Sequence, residues 1–273
     1  MLSIRSNNAA MHSVGALSRT QRSLSQSLAK ISSGMRTSEL GVDSAGLGVA
    51  VNLESRSQSY TAAMRNINDG ISVIQTAEQA LASTTDVLQR MRELSVQSAS
   101  ETLADTERSF ISDEFSALTE ELRRLGQNTE FNGIKLADNT VPTIDVQVGI
   151  DADSDNQIAL VMPNLRSVFF AVNSESVGTA SDALDSIEAL DGQLATVGGE
   201  RARLGAGHNR LLSALNAAGS AQIALTSGSS QIMDVDYSTE TANLSKLQIM
   251  QSAGVASLSE SRSMSLVALE LLR

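Results

Sequence analysis

The segment VGALSRTQRSLSQSLAKISSGM, residues 14–35, decides how this chain folds. Its apolar side chains recur three and four residues apart, which is the spacing of one face of a coiled-coil helix. The positions of this heptad pattern are Val14, Leu17, Gln21, Leu24, Leu28, Ile31 and Met35. The spacing predicts an amphipathic N-terminal helix with one polar position, followed by a glycine-containing break at residues 34–48.

Helical spacing continues on both sides of the middle of the chain. Residues 49–97 predict a helix of about 70 Å at roughly 1.5 Å per residue. Residues 111–125 predict a shorter helix that folds back antiparallel, and residues 187–225 predict a second long helix. We expect Gly228 to interrupt that helix before a last amphipathic run reaches the C-terminus.

The centre of the chain has a different pattern. The only two prolines, Pro142 and Pro163, lie there, and proline is the strongest helix breaker. Residues 144–148 and part of 158–161 alternate with period two, and the polar stretch 151–156 lies between them. Phe131-Asn132-Gly133 carries a turn signal. A β-hairpin is therefore predicted in the centre.

Together these patterns predict a mainly α fold. We expect a long antiparallel helical bundle with a short β-hairpin patch, plus an N-/C-terminal coiled-coil helix pair. The predicted division is a terminal helix in residues 1–41, a bundle in 42–232 with its hairpin at about 141–172, and a second terminal helix in 233–273.

Composition excludes several classes of protein. The 273 residues carry a net charge of −11, which argues against nucleic-acid binding because phosphate contacts need clustered cations. Cysteine is absent, so disulfides, thiolate metal sites and cysteine nucleophiles are excluded. The sequence contains no apolar run long enough to span a membrane, and its start lacks the apolar stretch of a secretory signal peptide.

No constellation of residues predicts chemistry. His12 and His208 lie far apart and outside any metal-ligand spacing. Asp151, Asp153 and Asp155 mimic the first three ligands of a calcium loop, but Asn156 stands in place of the glycine at position six and Met162 in place of the glutamate at position twelve, so a solvated hairpin tip is favoured. We therefore predict no catalytic residues, no metal site and no cofactor, and hence not an enzyme.

The terminal helices pose a physical problem. An isolated amphipathic helix leaves its apolar face in water and does not recover the entropy lost on ordering it. One N-terminal and one C-terminal helix can pair, yet the pair still exposes apolar sides. Many copies sharing a common inner core would bury those sides, which predicts a polymer.

Strings along the chain resemble those of one family, the bacterial flagellins. They are LSRTQRSLSQSLAKISSGMR at 17–36, AGL at 45–47, NINDGISVIQTAE at 66–78, LQRMRELSVQSA at 88–99, TEFNG at 129–133, RLGAGHNR at 203–210, DYSTETANLSK at 236–246 and LLR at 271–273. Each string alone is weak, but their order along the chain is specific. Only about 35 residues separate Asn139 from Ser176, so the resemblance is to a minimal flagellin without the variable outer domains.

The resemblance implies a structural subunit that polymerises into the flagellar filament for swimming motility. The terminal helices would form the inner tube, and their expected subunit contacts are Val14, Leu17, Leu24, Leu28, Ile31, Leu244, Leu247, Val255, Leu258, Leu266, Leu269 and Leu272. The implied partners are other copies of the chain, an export chaperone, filament cap proteins and hook-associated proteins. The implied location is extracellular, in the flagellum, after type III export without a cleaved signal peptide.

The family also suggests a surface role. In many flagellins a region like residues 88–97, with a carboxylate from the next helix, is recognised by the innate immune Toll-like receptor five. The matching positions are Gln89, Arg90, Leu94, Gln97 and Glu114. The same positions could instead be contacts between filament subunits, and both roles stay open.

Two alternatives to a filament subunit remain. A hook–filament junction protein shares the terminal pattern, although it matches the central strings less well. A cytosolic coiled-coil signalling or scaffold protein is also often rich in Ala, Ser and Gln. Long hollow fibres would favour the filament subunit, whereas discrete dimers or trimers would favour the cytosolic coiled coil.

Overall fold

The computed structural model describes residues 7–36 and 43–270, with side chains up to residue 263 except that of Ala9. Within these ranges the chain is mainly helical, as predicted. The helices are α1 (Asn8–Ser33), α2 (Ser44–Ser98), α3 (Asp105–Asn128), α4 (Leu165–Asn173), α5 (Ala180–Met233) and α6 (Tyr237–Glu270). The strands are β1 (Glu130–Phe131), β2 (Ile134–Lys135), β3 (Thr143–Gln147) and β4 (Gln157–Val161).

The chain forms two compact units. Unit 1 comprises Met1–Ser55 and Ala224–Arg273, and unit 2 comprises Arg56–Ile223. The boundaries therefore fall within α2 and α5, whereas the sequence division places them near residues 41 and 232. That three-part division remains a prediction about assembly.

Unit 2 is an antiparallel helical bundle around a continuous apolar core. Ion pairs join Arg92 to Asp191 and Glu78 to Arg201, so residue numbers rise along α2 as they fall along α5. Leucines dominate the core because the chain has few aromatic residues. Its most buried side chains include Ile67, Leu81, Leu88, Met91, Leu94, Phe115, Leu122, Leu190, Val197 and Leu211.

The central hairpin is confirmed. Strands β3 and β4 pair antiparallel from Thr143 opposite Val161 to Gln147 opposite Gln157. Strands β1 and β2 form a second, shorter hairpin whose turn residues Asn132 and Gly133 have φ values of 48° and 79°. This positive φ is the conformation that the Asn-Gly signal predicted.

The structure corrects the predicted end of the central hairpin. We placed its end at about residue 172, but β4 ends at Val161 and the helix α4 follows. Pro163 cannot donate to a strand ladder, so pairing stops there. The Asn164 side chain then caps α4 by accepting from the Ser167 backbone N–H at 3.1 Å.

Glycine breaks were also over-predicted. Helix α5 continues through Gly228 to Met233, and α2 begins at Ser44, so Gly46 and Gly48 lie within it. A single glycine costs a helix only about 1 kcal/mol, which long packed helices absorb. None of the described helices is long and apolar enough to cross a membrane.

Candidate assembly surface

Helix α1 is closed at both ends by local chemistry. At its start the Asn7 side chain accepts from the Ala10 backbone N–H at 2.9 Å. At its end Gly34 has a φ of 70°, the left-handed conformation that favours glycine as a C-cap. These caps explain why the helix covers residues 8–33 and no more.

A short clasp joins the end of α1 to the connection between α5 and α6. Met35 forms an antiparallel β-bridge with Asp234. The Arg36 N–H donates to the Met233 carbonyl at 2.6 Å, and the Val235 N–H donates to the Gly34 carbonyl at 2.9 Å. The Arg36 guanidinium also donates to the Ile232 carbonyl, at 3.0 and 3.1 Å, and so caps the end of α5.

Three further hydrogen bonds fix α1 antiparallel to α6. The Tyr237 hydroxyl donates to the Ile31 carbonyl at 3.0 Å near the clasp. Midway, Gln251 Nε2 donates to Gln21 Oε1 at 2.6 Å. At the far end, Asn7 Nδ2 donates to the Ser261 carbonyl at 2.9 Å. The terminal coiled-coil pair predicted from the sequence is therefore present.

The faces of α1 and α6 that pack against each other, here together called the inner seam, mix leucine with small residues. Leu24 and Leu247 are each 8% exposed, and Ser27 is 2% exposed. A Cβ built on Gly254 would lie 3.4 Å from Leu17 Cδ1, so a small residue allows close approach there. The inner seam comprises Ala10, Ser13, Leu17, Thr20, Leu24, Ser27 and Ile31 on α1, and Leu244, Leu247, Gln251, Gly254, Leu258 and Ser261 on α6.

A second line of α1 residues, here called the outer stripe, remains exposed. It consists of Val14, Gln21 and Leu28, spaced seven residues apart, and Met35 continues the sequence spacing just beyond the end of the helix. Val14 is 46% exposed and Leu28 is 49% exposed. On α6, Val255 is 54% exposed because its neighbour Gly254 occupies the seam position. The heptad pattern thus combined two adjacent lines of residues that the structure separates.

A groove of about 720 Å³ runs beside this outer stripe. Its lining residues are Leu17, Ser18, Gln21, Arg22, Ser25, Gln26, Gln251 and Val255. Among the predicted contact residues, Leu17, Ile31, Leu244 and Leu258 are half-buried in the seam. Leu272 lies outside the described residues, as do the side chains of Leu266 and Leu269. The role of all these residues in subunit contacts stays a prediction.

The second predicted set lies in unit 2, on α2 and α3. Gln89, Arg90, Gln97 and Glu114 are exposed, whereas Leu94 is 2% exposed and belongs to the core. Arg90 donates to Glu114 Oε1 at 2.7 and 2.9 Å. Hydrogen bonds to Glu114 and Glu93 raise the pKa of Arg90 above its usual range. Leu94 therefore supports the bundle from inside and is not available to a partner.

Within the part of the chain that the structure describes, the two histidines lie in different units and the acidic residues do not form a metal site. His12 is exposed in unit 1 and His208 is half-buried in unit 2. No group of three or more His, Cys, Asp or Glu residues within the described ranges is placed to hold a metal ion. The candidate functional surface is therefore the outer stripe, whose apolar side chains Val14 and Leu28 stay exposed at heptad spacing.

Sequence reasoning missed Tyr237, Gly254 and the small residues of the inner seam. Apolar periodicity selects large side chains, so serine, threonine and glycine at heptad spacing carry no signal of that kind. Tracing the full three-four spacing regardless of residue size would have recovered them. That spacing separates the inner seam residues Ser13, Thr20 and Ser27 from the outer stripe, which lies one residue further along the chain.

Comparisons with known proteins match both ends of the chain to one family. Residues 4–141 match the bacterial flagellin N-terminal helical region, and residues 187–272 match the flagellin C-terminal helical region. A flagellin from Halalkalibacterium halodurans is 36% identical over 91% of each chain. A flagellin from Bacillus subtilis is 33% identical over 99% of each chain.

A solved structure agrees with this relationship. The crystal structure of Bacillus cereus flagellin aligns with 28% identity and a TM-score of 0.51, and it covers 56% of this chain and 88% of that one. The sequence therefore matches both the N-terminal and the C-terminal helical regions of flagellins. In this chain those regions contain the capped helix α1, its antiparallel partner α6 and most of the central bundle. The chain belongs to the bacterial flagellin family.

Proposed function

We propose that this chain is the structural subunit of a bacterial flagellar filament that drives swimming. The observation that carries the proposal is the outer stripe of α1 (Val14, Gln21 and Leu28). It stays exposed after α1 and α6 have paired. Apolar residues at heptad spacing gain most from a further helix, and a neighbouring subunit supplies one. The role is structural, so the chain is not an enzyme.

In this proposal the terminal pair forms the inner tube and the bundle forms the layer around it. The predicted division into residues 1–41, 42–232 and 233–273 describes these roles. The filament lies outside the cell, and the chain reaches it through the flagellar export channel without a cleaved signal peptide. An export chaperone, filament cap proteins and hook-associated proteins are the partners for that route.

A substitution in the outer stripe tests the proposal. Leu28→Asn removes an exposed apolar side chain but leaves the inner seam intact. We expect the purified wild-type protein to form long hollow fibres in precipitating salt, seen by negative-stain microscopy, and Leu28→Asn to form few or none. Leu184→Asn is a matched control, because Leu184 is also exposed, at 60%, but lies in unit 2.

The outcomes separate the alternatives. Discrete dimers or trimers of the wild type would indicate a cytosolic coiled-coil protein. Short capped assemblies that grow only on preformed filaments would indicate a hook–filament junction protein. Normal fibres from Leu28→Asn, with unchanged helicity, would show that the outer stripe is not a subunit contact.

We propose recognition of the free monomer by Toll-like receptor five as a second role of unit 2. It is supported by the exposed, mutually bonded Arg90 and Glu114, with Gln89 and Gln97 on the same helix as Arg90. Arg90→Ala should reduce signalling in receptor-reporter cells, whereas Arg123→Ala, which breaks an ion pair elsewhere on α3, should not. Equal signalling from both variants and the wild type would leave these residues as filament contacts alone.

A further inference from the structure

Helix α1 carries an unusual distribution of charge. The first 36 residues contain five Lys or Arg and no Asp or Glu, so the other 237 residues carry 15 cations and 31 carboxylates, a balance of −16. Within α1, Arg19, Arg22 and Lys30 lie together with Gln26 at spacings of three, four and four residues. That spacing places the three cations on one face of the helix, away from the inner seam.

Among the described residues the three α1 cations form no ion pair, whereas seven cations of unit 2 do. The unit 2 cations paired with carboxylates of the same chain are Arg90, Arg92, Arg123, Arg124, Lys135, Arg201 and Arg203. Among the described side chains of α1 and α6, no ion pair joins the two helices. The only described ion pair near them is Arg36 with Asp43.

Local explanations account for little of this. Lys30 lies in the last turn of α1, where it complements the helix dipole. Arg22 Nε donates to the Ser18 carbonyl at 3.4 Å, a long bond along its own helix. Arg19 and Arg22 are in the middle of α1, where the dipole offers no stabilisation.

We propose that Arg19, Arg22 and Lys30 bind carboxylates of a second copy of this chain. The inference rests on the proposed filament function and adds an electrostatic contact to it. Copies with a net charge of −11 repel each other, and a contact between the cationic α1 of one copy and an acidic surface of another offsets that repulsion. Assembly also removes water from α1, so an unpaired cation there would carry a desolvation penalty that a carboxylate removes.

A pair of matched triple variants tests the contact. One replaces Arg19, Arg22 and Lys30 with Gln, and the control replaces Arg56, Arg65 and Arg210 with Gln. The control cations are exposed, lack described ion pairs and belong to unit 2. Each variant removes three positive charges, so both change the net charge equally. We expect the critical concentration for seeded fibre growth to rise about tenfold in the α1 variant, at roughly twofold per lost contact, and to change little in the control.

A third variant separates charge from folding. Arg19→Lys, Arg22→Lys and Lys30→Arg together keep the cationic face, and wild-type growth from this variant is expected. Equal effects of the two Gln variants would overturn the proposal by showing a general charge effect. Unchanged fibre growth of the α1 variant would also overturn the proposed contact. The filament function would still stand in that case, because the wild type forms fibres. A wild type that forms no fibres at all would instead reject the filament function and this contact together.

A cationic helix with an apolar stripe also resembles a membrane-surface helix, and the same proteins distinguish that reading. Sedimentation with vesicles of phosphatidylserine and phosphatidylcholine is expected to leave the wild type in solution. Binding that the α1 variant abolishes, together with unchanged fibre growth, would assign the cations to an anionic lipid surface and overturn the proposal.

Discussion

Gly70 on α2 lies so close to Val146 on β3 that a larger residue does not fit. A Cβ built on Gly70 would be 2.9 Å from Val146 Cγ2 and 3.2 Å from Leu211 Cδ1. The hairpin and α5 both approach α2 at this glycine. The absence of a side chain therefore fixes how closely the hairpin can pack on the bundle.

We predict that Gly70→Ala destabilises unit 2 by about 1–3 kcal/mol, because overpacking outweighs the gain in helix propensity. Gly205→Ala is the matched control, since Gly205 lies in α5 with no atom within 4 Å of its built Cβ. It should stabilise the helix by about 0.5–1 kcal/mol. Urea unfolding followed by circular dichroism measures both, and a stabilised Gly70→Ala would contradict the packing.

Arg108 is a buried cation that holds the turn between α2 and α3. It is 6% exposed, and its guanidinium donates to the carbonyls of Ser98, Ser100 and Leu103. It therefore satisfies carbonyls at the end of a 55-residue helix, where a positive charge is also favoured by the dipole.

Arg108→Met should lower the free energy of unfolding by about 2–3 kcal/mol, because it leaves these carbonyls without donors. Arg65→Met, at an exposed site on α2, should change the same urea midpoint little. Equal midpoints for the two variants would show that Arg108 is dispensable to the turn.

The ion pair of Arg92 with Asp191 predicts a dependence on pH. Arg92 Nε donates to Asp191 Oδ1 at 2.6 Å, and this bond lowers the pKa of Asp191 below its usual range. Because the folded-state pKa is depressed, the pair's contribution to stability is present above the unfolded-state pKa. It is lost as the pH falls through the folded-state value.

Arg92→Gln should return the pKa of Asp191 towards its usual range, as measured by NMR titration of the carboxyl carbon. Asp138 is an internal control, because hydrogen bonds from Thr140 lower its pKa and Arg92 takes no part in them. An unshifted Asp191 in the variant would show that the ion pair does not persist in solution.

The bond between Gln21 and Gln251 predicts coupling across the terminal pair. Each single Gln→Ala substitution should raise the critical concentration for fibre growth, because the remaining amide loses its partner. The double substitution should cost less than the sum of the two, giving a coupling of about 0.5–1.5 kcal/mol in a double-mutant cycle. Strict additivity would mean that the two amides do not interact in the polymer.

Much of the fold could be predicted because its elements are long. Confinement of Pro142 and Pro163 to the centre and the three-four spacing elsewhere were enough for the bundle, the hairpin and the terminal pair. The helix α4 was missed because nine residues carry little periodicity, and its start depends on the capping side chain of Asn164.

The candidate surface was predicted less well, for a geometric reason. Three helical residues turn the side chain by about 300°, which leaves Val14 and Leu17 about 60° apart around the helix, so they satisfy the same spacing rule while facing different neighbours. The resemblance to the flagellin family also places Leu94 among the recognition or contact residues, although the bundle buries it. Choosing between these faces requires knowing where α6 and α3 lie.

The offset between the inner seam and the outer stripe keeps the residues that α1 buries on folding separate from the residues that it leaves exposed. In the folded chain Leu24 and Ser27 are buried against α6, whereas Val14 and Leu28 are not. The chain's own C-terminal helix therefore does not occupy the outer stripe. Folding of the monomer therefore leaves the outer stripe exposed. In the proposed filament, each added molecule would present its own outer stripe to the next one.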